Sequence, residues 1–260
     1  VGRPHSEANQ SLIEPSTFTQ VHFAKCEPVV MDTRFNSSVT DIFRNEYLSP
    51  RSPYTTLQIP KQGIGEWCHP LHTVDINDAG LRSSVQNGIL NTELGIPFRT
   101  PAEGHNVAFT SLWDNYPDSL EIPLKGKASR AYLLMAGSTN HMQCHIDNGV
   151  IRIYYKDGTR DVMFLRNPDN WPPIEHIFFE DGLAFNRHTP ALYRLRLKTG
   201  EISNNFGEEL GFPGASRELD GGAAVLLEMP LNPGKKLSHL VLETLSNDVV
   251  IGLMSITLQR

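Results

Sequence analysis

Ten histidines and 29 acidic residues are the groups from which a metal or hydrolytic site would be built. His141 and His145 stand four apart, which on a helix would set both imidazoles over one ion. Between them the residue types alternate, Met142, Cys144 and Ile146 against His141, Gln143 and His145. That period predicts a strand, where the two rings stand roughly 13 Å apart and cannot share an ion. His69 and His72 lie in Cys68-His-Pro-Leu-His72, a loop able to gather them with Cys68 but with no further ligand at matching spacing. No metal is assigned to either group, and no cofactor is expected. The sequence has no H-E-x-x-H, Walker A or G-x-S-x-G pattern, and Gly63-Ile-Gly65 reads as a turn.

Glycoside cleavage needs a carboxylic acid and a second carboxylate about 5–9.5 Å apart. Glu66, Asp114, Glu175, Glu180 and Asp181 are the candidates, although 29 acids make chance pairs inevitable and solvated loop carboxylates are the plainer reading. The three cysteines, Cys26, Cys68 and Cys144, are odd in number and include no C-x-x-C, so free thiols are expected. Cys144 alternates with Met142 and Ile146, as a buried thiol would. Asp75-Ile-Asn-Asp78 and Asp169-Asn170 carry oxygens suited to calcium, but no EF-hand spacing exists and turn formation by Asx residues accounts for both. A structural calcium is not predicted.

The three tryptophans sit beside polar or turn residues: Glu66-Trp67-Cys-His69, Trp113-Asp114-Asn115-Tyr116, and Asn170-Trp171-Pro-Pro, with Glu175 just beyond. A sugar ring offers an apolar C–H face and a rim of hydroxyls, which an indole flanked by Asp, Asn, His or Glu complements. Trp113, Asp114, Asn115, Tyr116, Trp67, His69, Trp171 and Glu175 are therefore the candidate ligand-binding residues. Tryptophans that plug the ends of a core or anchor long loops are the competing reading.

The elements that must carry these residues are short. Twenty glycines and 18 prolines interrupt the 260 residues too often for long helices. Asp41–Tyr47 and Ser6–Asn9 read as short helices. Leu120–Leu124 is a strand whose Pro123 marks an edge or a strand end. Arg130–Ala136 is apolar without a break, as a strand covered on both faces is. His141–Asp147 alternates, Asn148-Gly149 fits a type I′ turn, Ile151–Tyr155 alternates, Asp157-Gly158 turns again and Val162–Leu165 returns. Together these predict an antiparallel meander over 118–165. Further strands are expected at Thr17–Ala24, Thr55–Ile59, Leu71–Ile76, Ala191–Leu197, Ala223–Met229, Leu237–Leu245 and Val249–Leu258. The fold class is all-β: an antiparallel β-sandwich of jelly-roll, galactose-binding-like type with few short helices. Residues 1–20 read as an N-terminal extension and 21–260 as the sandwich, with a candidate sub-boundary near 100.

A net charge of −6 argues against nucleic acid, and no apolar run is long enough for a membrane-spanning helix. The chain starts Val-Gly-Arg without an initiator Met and reads as part of a longer polypeptide.

Trp113-Asp-Asn-Tyr-Pro117, Ile122-Pro-Leu-Lys-Gly-Lys-Ala128, Tyr132-Leu-Leu-Met-Ala-Gly-Ser-Thr-Asn140-His-Met-Gln143, Val150–Gly158 and Asn167-Pro-Asp-Asn-Trp-Pro-Pro-Ile-Glu175 resemble a β-sandwich module of bacterial polysaccharide-degrading proteins. With Tyr47–Arg51 and Gly63–Pro70, the chain is similar to the uncharacterised C-terminal domain family of large secreted Bacteroidetes proteins with glycoside-hydrolase-like upstream regions. The resemblance covers residues 20–260 and supplies no catalytic residues. It implies a secreted, periplasmic or outer-membrane-associated module, partnered by polysaccharide or oligosaccharide and by a neighbouring catalytic domain of the same polypeptide. The function expected is a non-catalytic accessory module that braces that domain or binds glycan. A glycoside hydrolase or polysaccharide lyase using Glu66, Asp114 or Glu175 with a histidine, and a structural or protein-interaction module, are the alternatives.

Overall fold

The computed structural model describes residues 9–14, 25–44, 74–112, 116–139, 143–177, 186–211, 217–247 and 249–260. The first half carries β1 (Gln10–Leu12), β2 (Cys26–Pro28), 3-10 turns at Asp32–Arg34 and Val39–Asp41, and the one-turn helix α1 (Ala79–Ser83). Short strands β3 (Val85–Gln86), β4 (Ile89–Asn91), β5 (Pro97–Arg99), β6 (Ala108–Ser111) and β7 (Ser119–Pro123) follow. Then come β8 (Arg130–Thr139), β9 (Gly149–Tyr155), β10 (Arg160–Leu165), β11 (Arg194–Arg196), β12 (Ile202–Ser203) and the short helix α2 (Phe206–Glu209). Strands β13 (Ala223–Pro230), β14 (Leu237–Thr244) and β15 (Val249–Gln259) close the chain.

One sheet runs β1-β10-β9-β14-β7; a second runs β12-β11-β13-β8-β15-β2, with β6 also on β15. Strands β3, β4 and β5 form a small third sheet. Every pairing within these sheets is antiparallel except β1 on β10. The protein is an all-β sandwich.

Burial explains which strand sits where. Ala131, Leu133 and Met135 of β8 join Val225, Leu227 and Met229 of β13 in a core shared with Ile151, Ile153, Leu240 and Leu242 of the five-stranded sheet. The opposite face of the same strands, Tyr132, Leu134, Ala136, Ala224 and Leu226, enters a second core with Val39, Ile42, Leu81, Ile96 and Phe98. The seven-stranded sheet is thus covered twice, and its central strands are buried on both faces and apolar along most of their length. The five-stranded sheet is covered once. Its outer face keeps Arg152, Tyr154, His239 and Glu243 half-exposed, with the Tyr154 and His239 rings stacked at 4.6 Å.

This layering corrects the expected meander over 118–165. An unbroken apolar strand and an alternating one need different cover, and they go to different sheets: β7 pairs with β14, and β8 with β13 and β15. Only β9 and β10 form a hairpin, turning at Asp157-Gly158 with Gly158 at φ 85°. Pro123 does lie on an edge strand. The described part of His141–Asp147 is not a strand either: Cys144 makes one isolated bridge to Asn167, His145 has φ 54°, and Ile146 is 48% exposed. Asn148 is no hairpin corner. Its buried amide accepts from Thr139 Oγ1 and donates to the carbonyls of Gln143 and Ile146, so it laces the loop that carries the chain between sheets.

Asp41 falls in the 3-10 turn Val39–Asp41, followed by a hydrogen-bonded turn to Arg44; residues 45–47 of the expected helix lie outside the described residues. Ile76 makes an isolated bridge to Gly221. Thr17–Ala24, Thr55–Ile59 and all of Ser6–Asn9 but Asn9 lie outside the described residues. Residues 9–14 dock along β10, where Arg160 donates to Gln10. Among the described residues, no helix is long and apolar enough to cross a membrane.

Candidate functional site

The loop after β10 is built by its own polar side chains. Asn170 accepts from the Arg166 amide at 2.7 Å and donates to the Phe164 carbonyl at 2.8 Å, folding 166–170 into a tight turn that contains the cis Asn167–Pro168 bond. Trp171 then enters the core fully buried, its indole lying over Gly137 of β8. Glu175 is also fully buried and accepts from the Ser138 hydroxyl at 3.2 and 3.1 Å. Tyr116 is 7% exposed and packs on Phe109 at 5.1 Å.

These positions correct three of the expected ligand-binding residues. Trp171 and Glu175 belong to the packing of the sandwich, because their loop must both seal a core and satisfy its own backbone, and Tyr116, between β6 and β7, packs into the outer core. Trp67, His69, Trp113, Asp114 and Asn115 lie outside the described residues, as do Glu66, Cys68, His72, Glu180 and Asp181. Cys26 is a free thiol that burial pushes up, and the Cys144 sulfur accepts from the Asn167 amide at 3.4 Å. The Asp75–Asp78 loop behaves as a turn. Asn77 caps the Ala79 amide, and one Asp78 oxygen takes both Arg82 and Asn106 at 2.8 Å.

What the loop does create is a cleft of about 450 Å³ on its outer side. Arg194 of β11 fixes the floor. Its guanidinium, completely enclosed, donates to the carbonyls of Pro173, His176 and Ala223 at 2.6, 2.8 and 3.0 Å. Burial pulls its pKa down to about 10, opposed by the Glu175 charge, so it is still a cation at neutral pH. Pro168, Pro172, Ile177, Leu192 and Phe206 give the cleft apolar surface. Around them stand Arg187, Arg217, Asp169, Ser203, Asn204, Asn205 and Glu208. Asn204, Asn205 and Glu208 are exposed, and Asn205 donates to Glu208 at 2.9 Å at the start of α2. Directional donors and acceptors over an apolar floor suit a polyhydroxylated ligand, and the guanidinium groups suit carboxylate or sulfate substituents on it.

At the rim, Asp169 meets two histidines. His145 Nδ1 is 3.6 Å from one carboxylate oxygen and His188 Nδ1 is 3.6 Å from the other. The His188 amide donates to Asp169 at 2.7 Å, and the two rings are 4.6 Å apart. Sequence reading weighed His145 only with His141 and did not reach His188, because no local spacing joins residues from loops so far apart along the chain. The cleft residues of 187–217 escaped for the same reason. No known-family profile matches the chain, and no curated protein matches it.

Proposed function

We propose that this protein is a non-catalytic accessory β-sandwich of a carbohydrate-active polypeptide and that it binds glycan in the cleft between Asp169 and Arg217. The observation that carries this reading is the lining of the cleft: amide, hydroxyl, carboxylate and guanidinium groups around Leu192, Phe206 and the two prolines. An apolar patch meets the C–H face of a pyranose while the surrounding groups take its hydroxyls. The buried Glu175, held by Ser138 beside the charge of Arg194, is a structural acid and supports a binding role over hydrolysis. The resemblance to modules of secreted Bacteroidetes polysaccharide-degrading proteins supports this reading, in which the protein works outside the cytoplasm beside a catalytic domain of its own chain.

Affinity electrophoresis against neutral and acidic polysaccharides tests the reading. At least one glycan retards the wild type, and Asn204→Ala with Asn205→Ala weakens that retardation about tenfold, the loss expected from two hydrogen bonds of about 0.5–1.5 kcal/mol each. Incubation releases no reducing ends or unsaturated uronates. Absence of retardation across the panel, or equal retardation of the double variant, overturns glycan binding at this cleft.

A further inference from the structure

We infer that His145, Asp169 and His188 form a binding site for a first-row divalent transition metal, with zinc as its simplest occupant. One ligand atom from each of the three lies within 4.8 Å of the other two. The two N···O separations of 3.6 Å are too long for hydrogen bonds. They are close to the edge of a tetrahedral site, about 3.4 Å for zinc–nitrogen and zinc–oxygen bonds of about 2.1 Å. The two imidazoles face different oxygens of one carboxylate, unbonded to it, and all three groups stand close enough for one ion to reach.

The elements around the site hold it in this form. His145 is kept at φ 54°, a left-handed conformation uncommon for a side chain of its size. Its amide donates to the Asn167 carbonyl at 2.7 Å, which ties the 143–148 loop to the segment that carries Asp169. Asp169 is fastened from both ends. Its carboxylate takes the His188 amide, and its carbonyl takes the Thr189 hydroxyl at 2.8 Å. His145 Nε2 is shielded from water and has no hydrogen-bond partner among the described residues. Nδ1, the nitrogen that faces the carboxylate, is beyond hydrogen-bond reach of Asp169 and so is the one available to a metal.

Ligand chemistry selects the ion. A single carboxylate is too few oxygens for calcium or magnesium, whereas two imidazoles favour zinc and its neighbours in the row. Among the described residues the site has three ligands, one fewer than the four that close a structural zinc site. Exposure rises from Asp169 at 12% and His145 at 29% to His188 at 62%, so the site faces solvent on the His188 side. Asp169 is common to this site and the cleft, so an ion here stands at the cleft rim. The site does not depend on the cleft taking a saccharide.

The test is equilibrium dialysis of the chelator-treated full chain against zinc chloride, in the absence of any saccharide, with the metal counted by mass spectrometry. Wild type retains one zinc per chain. His239→Ala, on the outer face of the five-stranded sheet, retains it equally. His188→Ala binds at least about tenfold more weakly, as loss of a ligand requires. His145→Asn, a residue that tolerates a left-handed backbone, loses the ion in the same way. With cobalt in place of zinc, wild type shows the visible absorption of a tetrahedral ion and His188→Ala does not. A wild type that dialyses free of zinc, or a His188→Ala protein that holds it as wild type does, overturns the site. Because His188 is exposed, this variant folds even if His145→Asn does not.

Discussion

Two aspartates of the β9–β10 hairpin show how local surroundings set the sign of a pH effect. Asp157, in the turn, accepts from the Thr159 hydroxyl and amide and pairs with Lys235, which holds its carboxyl at about 2. Asp161 lies on β10 and is 7% exposed. Desolvation pushes its carboxyl above the usual range despite the hydrogen bond from Tyr155. For a raised acid the folded state holds the proton longer than the unfolded chain, so its contribution to stability falls as pH rises from the ordinary carboxylate range through the raised value. Asp157 works the opposite way, its contribution being lost as pH falls through its depressed value. Asp161→Asn keeps an acceptor for Tyr155 and removes the charge. Its stability relative to wild type is expected to grow as pH rises across that window and then level off. Urea unfolding at a series of pH values measures the gap, and parallel curves for the two proteins would refute the assignment.

Strand β8 shows what a sandwich covered twice asks of its central element. Gly137 stands where the β8 backbone, the Val250 carbonyl and the Trp171 indole converge. A methyl group there would press on that carbonyl and lie 2.6 Å from Trp171 Cζ2. Gly137→Ala is expected to cost about 3 kcal/mol, at the upper end for overpacking, because backbone on one side and a fully buried ring on the other leave nothing to give. Urea unfolding measures the loss, and a cost below about 1 kcal/mol would show that the ring can shift. The unbroken apolar character of β8 was legible in the sequence, as was the edge position of β7 from Pro123. The bulges were not. In β15, Val249, Ile251 and Leu253 face the inner core, and after a register shift so do Ile256 and Leu258. In β14 a shift after Leu237 brings Leu240 and Leu242 to the same face. Such a shift breaks the period of two, so the residues read as an apolar block with no stated face. Asn148-Gly149 misled for a related reason: the pair suits a tight turn, but the Asn148 side-chain amide has three loop and strand partners only the folded chain supplies.

At the scale of the molecule, both candidate sites are products of the crossing loops, and sequence reading could name their residue types without joining them. His145, Asp169 and His188 come from two crossings between sheets and the stretch before β11, and the cleft adds α2 and its flanks. Trp171 is a candidate for its polar neighbours, yet Asn170 folds the loop and Trp171 turns inward. The same layering bears on whether residue 100 divides the chain. Residues 74–100 cover the outer face of the seven-stranded sheet, and Thr257 of β15 donates to the Pro97 carbonyl. A layer bound to a sheet that also forms the inner core should unfold with it. Phe98 is fully buried in the outer core and Trp171 in the inner one. In a Trp67→Phe, Trp113→Phe background that leaves Trp171 as sole indole, Phe98→Ala is expected to cost about 3–5 kcal/mol. It should shift Trp171 fluorescence and far-ultraviolet circular dichroism to the same lower urea midpoint. If the fluorescence midpoint stayed in place while the dichroism split into two steps, the two cores would be independent and the boundary near residue 100 a true one.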